Sequence, residues 1–180
     1  MKRLLRKRKE MFRRFYPKAQ IDSTYNIDFD VLWQKGYRGV MFDIDNTLVM
    51  HGAPATPEAI DFFDRLRKKG FDTCLISNNK IDRVKSFATQ VKSKYIYDAH
   101  KPSIKNYVKA MELMNTDRSN TVFVGDQLFT DVYGANRAGI KTILVSPINP
   151  KEEIQIVLKR YLEKIVMHFY KGNGGSLDNF

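Results

Sequence analysis

Gly39-Val-Met-Phe42-Asp43-Ile-Asp45-Asn-Thr47-Leu48 places two carboxylates directly after a short apolar run. Such a run, bounded downstream by the polar and small residues of 46–57, reads as a buried strand ending at a loop. Acidic groups crowded at the carboxyl end of a buried strand repel one another and are costly to desolvate, so they imply a bound cation or a shared proton. In an open α/β sheet that end of the strand is where ligands bind.

Working outward, apolar runs alternate with stretches of helical period from Gly39 onward, which is the pattern of βαβ units and a parallel sheet. Strands are predicted at 39–44, 71–77, 95–99, 121–125 and 140–146, and helices at 57–69, 80–91, 103–115, 129–138 and 150–170. Thr56-Pro57-Glu58 carries the cap and first-turn residues of a helix start, Gly70 its stop, and Asn149-Pro150 with Glu152 repeats the start signal. On the last helix Ile154, Val157, Leu158, Tyr161, Leu162, Ile165, Val166 and Phe169 share one face, predicted to pack on the sheet. Residues 20–38, including Trp33 and Tyr37, read as a short helix covering the sheet. The organisation is therefore an N-terminal arm at 1–18, one α/β domain at 19–170 and a flexible tail at 171–180.

The net charge of +11 is concentrated in that arm, where residues 1–18 hold nine Lys or Arg against one Glu. No apolar run there is long enough for a signal peptide, and no segment reaches the ~18 consecutive apolar residues of a membrane span. Wound as a helix at about 100° per residue, 1–16 would gather Met1, Leu4, Leu5, Met11, Phe12, Phe15 and Tyr16 on one side, interrupted by Arg8, with basic residues on the other. Three readings follow: contact with an anionic membrane surface, binding of RNA or the ribosome, or packing of the apolar stripe on the domain. The lone Cys74 lies inside an apolar run, which excludes a disulfide framework and suggests a reduced, cytoplasmic setting.

The remaining strand ends repeat the polar theme: Ser77-Asn78-Asn79, then Lys101, then Gly125-Asp126 with Asp131 beyond. A carboxylate that attacks phosphorus, hard oxygen ligands for Mg²⁺, and cationic and hydroxyl groups facing phosphoryl oxygens form a set suited to phosphoryl transfer. His51, His100 and His168 are scattered, and with one cysteine they offer no zinc-binding cluster.

The series Asp43-x-Asp45-x-Thr47, Ser77, Lys101 and Gly125-Asp126-Gln-Leu-Phe-Thr130-Asp131 resembles the four motifs of the haloacid dehalogenase superfamily, in order, across residues 39–146. The resemblance implies a Rossmann-like three-layer sandwich with a central parallel sheet ordered 5-4-1-2-3. It also implies a Mg²⁺-dependent phosphomonoester hydrolase working through an aspartyl-phosphate. In it Asp43 is the nucleophile, Asp45 the general acid and base, and Ser77, Asn78 and Lys101 the phosphate ligands. Mg²⁺ falls to Asp43, Asp126 and the main-chain carbonyl of Asp45, with Thr47 and Asp131 in support.

Members of that superfamily usually close the site with an inserted cap domain, and neither usual insertion point has room for one here: Leu48 is followed within about ten residues by the helix at Pro57, too short a connection for a folded module. The pattern Phe15-Tyr-Pro17, Ile27-Asp28, Leu32, Gly36 and Gly39–Val49 further resembles the YqeG-type branch, which is similar to phosphatidylglycerophosphate phosphatases. That resemblance implies an anionic phospholipid substrate met at the inner face of a membrane. Another phosphomonoester, such as a phosphoprotein, nucleotide or sugar phosphate, and an RNA- or ribosome-associated binding role are the alternatives.

Overall fold

In a computed structural model, the described residues are 12–149, 154–168, 170, 177 and 180, with side chains of 154–160 left aside. Six parallel strands build one sheet: β1 (Ala19–Ile21), β2 (Gly39–Phe42), β3 (Asp72–Ile76), β4 (Lys94–Ile96), β5 (Thr121–Gly125) and β6 (Lys141–Val145), in spatial order β1-β6-β5-β2-β3-β4. The five predicted strands thus stand in the expected 5-4-1-2-3 order, with the acid-bearing strand in the interior of the sheet.

β1 was not foreseen. It adds a sixth strand beside β6, in register Ala19↔Ile143 to Ile21↔Val145, and belongs to the segment expected to supply only a covering helix. Three residues are too few for an alternating pattern to register in sequence. The expected helix is there too, as α1 (Phe29–Gln34), capped by Asp28, which accepts from the N–H groups of Asp30 and Val31.

The strands read as continuous apolar runs because both faces are covered. Val40 and Phe42 of β2 pack with Leu32, Phe63 and Phe87 on one side, while Met41 between them packs with Cys74, Tyr107 and Phe123 on the other. The first face is covered by α1, α2 (Pro57–Lys69) and α3 (Ile81–Val91), the second by α4 (Lys105–Met114) and α5 (Tyr133–Arg137). Phe29, Phe42, Phe62 and Phe63 meet with ring centroids 5.3–6.4 Å apart, and each fully buried aromatic stabilises the fold by roughly 1.5–3 kcal/mol. The predicted caps hold: Thr56 accepts from the Ala59 N–H at 3.1 Å, Pro57 opens α2, and Gly70 closes it at φ 98°.

Two elements differ from expectation. The helix predicted over 129–138 begins as a π-helical turn, Leu128–Val132, before tightening into α5. The last helix, α6 (Ile154–His168), turns only part of the predicted face inward: Val166 is buried at 5% as expected, but Tyr161, Leu162 and Ile165 are 69%, 49% and 52% exposed, and Glu163, outside that face, is 9% exposed. The reason is polar. Leu128 opens the π turn with a buried N–H, and the Glu163 carboxylate accepts from it at 2.7 Å, which rotates Val166 and Met167 onto Leu128, Val132 and Leu144. Ile154, Val157, Leu158 and Phe169 of the predicted face, and the start signal at 150–152, lie outside the described residues or side chains.

The arm's residues 1–11 also lie outside the described residues. Phe12, Phe15 and Tyr16 pack on the domain, with Phe15 stacked on Tyr133 at 4.4 Å. Of 171–180, read as a flexible tail, Leu177 is buried and Phe180 packs against Tyr37. No helix among the described residues is long and apolar enough to cross a membrane. Neither the 43–56 connection nor the one between β4 and α4 carries a folded cap module.

Candidate active site

Parallel pairing aligns the carboxyl ends of β2, β3, β4 and β5, and the residues that leave those ends meet in one cleft. Asp43 follows β2 immediately and is still held to β5, its N–H donating to the Val124 carbonyl at 3.0 Å. Ser77 follows β3. Beyond β4 the chain stays tied to the β3 exit, since Asp98 and Ala99 donate to the carbonyls of Asn79 and Ser77 at 2.9 and 3.0 Å. The Lys101 N–H then donates to Asn78 Oδ1 at 2.7 Å, which sets Lys101 beneath the cleft.

Lys101 is buried, and its ammonium bonds Asp43 Oδ1 at 2.5 Å and Asp131 Oδ1 at 2.7 Å. The other oxygen of Asp131 accepts from the Gln127 N–H at 3.0 Å. Asp126 is nearby, bonded by the Thr47 hydroxyl at 3.2 Å, and oxygens of Asp43, Asp126 and Asp131 lie within 4.8 Å of one another. Gly125 permits this crowding, because a Cβ there would fall 2.5 Å from Asp131 Oδ2 and 2.7 Å from its Cβ.

When all are ionised, three buried carboxylates share one ammonium, leaving two negative charges without a counter-charge from Lys101. Burial pushes the Asp43 carboxyl up to about 8, with Lys101 opposing and the charges of Asp131 and Asp126 adding to the rise. Burial also works against the charged form of Lys101, but Asp131 and Asp43 outweigh it and hold the ammonium above its ordinary value. Lys101 therefore stays charged, and for Asp43 burial and the two neighbouring carboxylates outweigh its bond to that ammonium. A divalent cation with hard-oxygen preference fits this set of donors and its charge.

Asp45 faces a different environment from its near neighbour. Among the described residues its carboxylate receives three donors: the Gly52 N–H at 2.7 Å, Arg83 Nη2 at 3.0 Å and Asn79 Nδ2 at 2.5 Å. Its side chain thus points away from the Asp43, Asp126 and Asp131 cluster, which leaves only its main chain as a candidate on the metal side. Ser77 is buried at the cleft, its hydroxyl accepting from the Asn79 N–H at 3.1 Å. Asn78 also lines the cleft while its amide oxygen buttresses the Lys101 main chain.

The cleft has a volume of about 150 Å³ and is lined by Asp43, Asp45, Ser77, Asn78 and Lys101 together with His51, Gln127 and Thr130. It has room for a small anionic group, whereas whole-molecule ligand pockets run to ~300–1,000 Å³.

Every residue predicted for the site is therefore present at one place. The supports were less legible. Thr24 and Tyr25, in a segment with no chemistry readable from sequence, donate to the carbonyls of Thr47 and Leu48 at 2.8 and 2.6 Å and pin the loop after β2. Arg83 was missed because an arginine one turn into a helix ordinarily faces solvent, and its only signal was its nearness to the Ser77–Asn79 turn.

Comparison with known proteins bears on the family and the fold. A family model described as haloacid dehalogenase-like hydrolase matches residues 51–139. The chain is 34% identical over 161 residues, 89% of its length and 94% of the relative's, to the probable phosphatase YqeG of Bacillus subtilis (strain 168). It is 27% identical over 168 residues to phosphatidylglycerophosphate phosphatase 1, chloroplastic/mitochondrial, of Arabidopsis thaliana, covering 82% of this chain and 48% of that protein. Among solved structures, an uncharacterized protein from Listeria monocytogenes serotype 4b shares the fold at TM-score 0.52 and 17% identity, covering 65% of this chain and 84% of that one.

Proposed function

This chain belongs to the haloacid dehalogenase-like hydrolases, in their YqeG-type phosphatase branch, and on that premise we propose that it is a Mg²⁺-dependent phosphomonoester hydrolase whose substrate is phosphatidylglycerophosphate. The observation that carries the reaction is the convergence of Asp43, Asp45, Ser77 and Lys101 on a cleft sized for a phosphoryl group.

Asp43 attacks phosphorus, forming its Oδ–P bond as the ester P–O bond breaks, while Asp45 gives a proton to the departing alkoxide. In the second half Asp45 takes a proton from water, which attacks phosphorus and returns Asp43 as a carboxylate. Lys101 and Ser77 hold the phosphoryl oxygens, and Asp131 holds Lys101 in place. Mg²⁺ would be held by Asp43, Asp126 and the main-chain carbonyl of Asp45, and when bound it supplies positive charge against the phosphoryl oxygens.

The lipid reading rests on three supports. One is the similarity to the Arabidopsis enzyme named for that reaction. A second is that among the described residues no folded cap covers the cleft, which leaves room for a bulky leaving group outside it. The third is apolar exposure at the carboxyl edge of the sheet, where Met50, Tyr97 and Ile148 lie in three loops and Ile81 opens α3. Peripheral contact with an anionic membrane, aided by the basic residues of 1–16, belongs to the same proposal.

Phosphate release from phosphatidylglycerophosphate in mixed micelles, soluble phosphometabolites and an aryl phosphate tests the assignment. Turnover of the lipid at a kcat/KM at least ~10² above the best metabolite is expected, within the usual span of enzyme discrimination. Preference for a soluble phosphate would reject the lipid and keep the phosphatase.

A further inference from the structure

Among the described residues Arg83 is the one cationic side chain bonded to Asp45, and part of its guanidinium is unpartnered there. Among the described residues, only Nη2 of the Arg83 guanidinium has a hydrogen-bond partner, a single oxygen of Asp45, where a carboxylate and guanidinium can form two parallel bonds. Its Nε is buried with no partner among the described residues, and the guanidinium carbon sits 5.4 Å from the Phe87 ring centroid. A buried donor left without an acceptor is unfavourable, so this is not the best-partnered position available to the side chain. Gly52 and Asn79, by contrast, keep Asp45 fixed through a main-chain N–H and a short amide bond.

Arg83 does not line the 150 Å³ cleft, whereas Asp45 does. It reaches the cleft only through Asp45, and with its side chain 20% exposed it stands beside the proposed proton donor and open to solvent. The Asp45 oxygen it occupies is already bonded by Gly52, and a leaving oxygen that is to receive a proton needs access to that carboxyl. An anion beside Asp45 can draw the guanidinium away and keep its charge paired.

We propose that Arg83 is a specificity-determining residue that reads a second negative charge on the leaving group, exchanging its single bond to Asp45 for an anionic phosphate or phosphodiester a few bonds beyond the scissile ester. This rests on Asp45 being the proton donor, and it deepens the lipid reading by naming the residue that would meet the phosphodiester of such a headgroup. It equally fits soluble bisphosphates, so the test is independent of any membrane.

Glycerol 1-phosphate and glycerol 1,3-bisphosphate, each used as a competitor of 4-nitrophenyl phosphate turnover with saturating Mg²⁺, differ by the second phosphate, which replaces a hydroxyl. Wild-type protein is expected to bind the bisphosphate more tightly than the monophosphate. R83Q should reduce this preference about 10-fold, and R83K, which keeps the charge, should restore part of it. Because the readout is a ratio of two inhibition constants on one sample, partial unfolding of a variant does not alter it. An equal preference in wild type and R83Q would overturn the proposal and leave Arg83 as a support for Asp45. Loss of the preference in R83Q together with inert phosphatidylglycerophosphate would sustain Arg83 and reject the lipid.

Discussion

Asp43 and Asp45 are two residues apart and end up in opposite surroundings, and their proposed roles follow from that difference. Asp43 is buried against Lys101 and two further carboxylates, while Asp45 turns to an amide, a guanidinium and a main-chain N–H. D43N should remove the nucleophile and lower turnover by at least ~10³-fold, a loss of the size seen when a nucleophile is deleted. Retention of a substantial fraction of wild-type phosphate release would exclude Asp43 from that role. Gly125 is a sharper probe of crowding, since a methyl group there collides with the Asp131 side chain. G125A should destabilise the protein by ~1–3 kcal/mol in urea denaturation and lower kcat by shifting Asp131 from Lys101. Asp43, Asp45, Ser77 and Lys101 were legible because each directly follows, or closely trails, an apolar run. Arg83 was not, because its partner lies 38 positions away and only the β2·β3 register brings them together.

Among elements, the interior strands were the most legible and the chain ends the least. β2, β3 and β5 are apolar on both faces, so their sequence differs plainly from the helices around them. α6 misled because its apolar stripe, Tyr161, Leu162 and Ile165, is broad enough to look like a buried face. The Leu128 N–H at the head of the π turn, which accepts no substitute from water once buried, outweighed that stripe and drew Glu163 inward. E163A should strand this donor and destabilise the fold by ~1–3 kcal/mol, whereas E163Q, which retains an acceptor oxygen, should lose less. Urea unfolding of the two variants beside wild type checks the order. Equal stability of E163A and wild type would mean that packing of Val166 and Met167 alone orients the helix.

For the whole molecule, the open cleft and its clustered acids tie stability to pH and metal. The Asp43 carboxyl is held at about 8 in the fold against an ordinary value of 3.8 when unfolded. Between those values the folded state carries a proton that the unfolded chain has released. Stability of the metal-free protein should therefore fall as pH rises from about 4 to about 8 and change little from this source above that. A divalent cation replaces the proton as the counter-charge, so Mg²⁺ should raise the Tm more at about pH 8 than at about pH 5. Thermal melts with and without Mg²⁺ at the two pH values measure this, and a larger shift at the lower pH would count against the acidic cluster as the cation's seat.

The sequence by itself determined the α/β class, the order of the acid, hydroxyl and lysine positions, and the absence of a cap between them, because buried strands and their polar exits are written in local periodicity. Only the tertiary structure decided the added edge strand β1, the inward face of α6 and the pairing of Arg83 with Asp45. Each of those depends on which buried polar group finds which partner, and that choice is made between segments far apart in the chain, where no local pattern can record it.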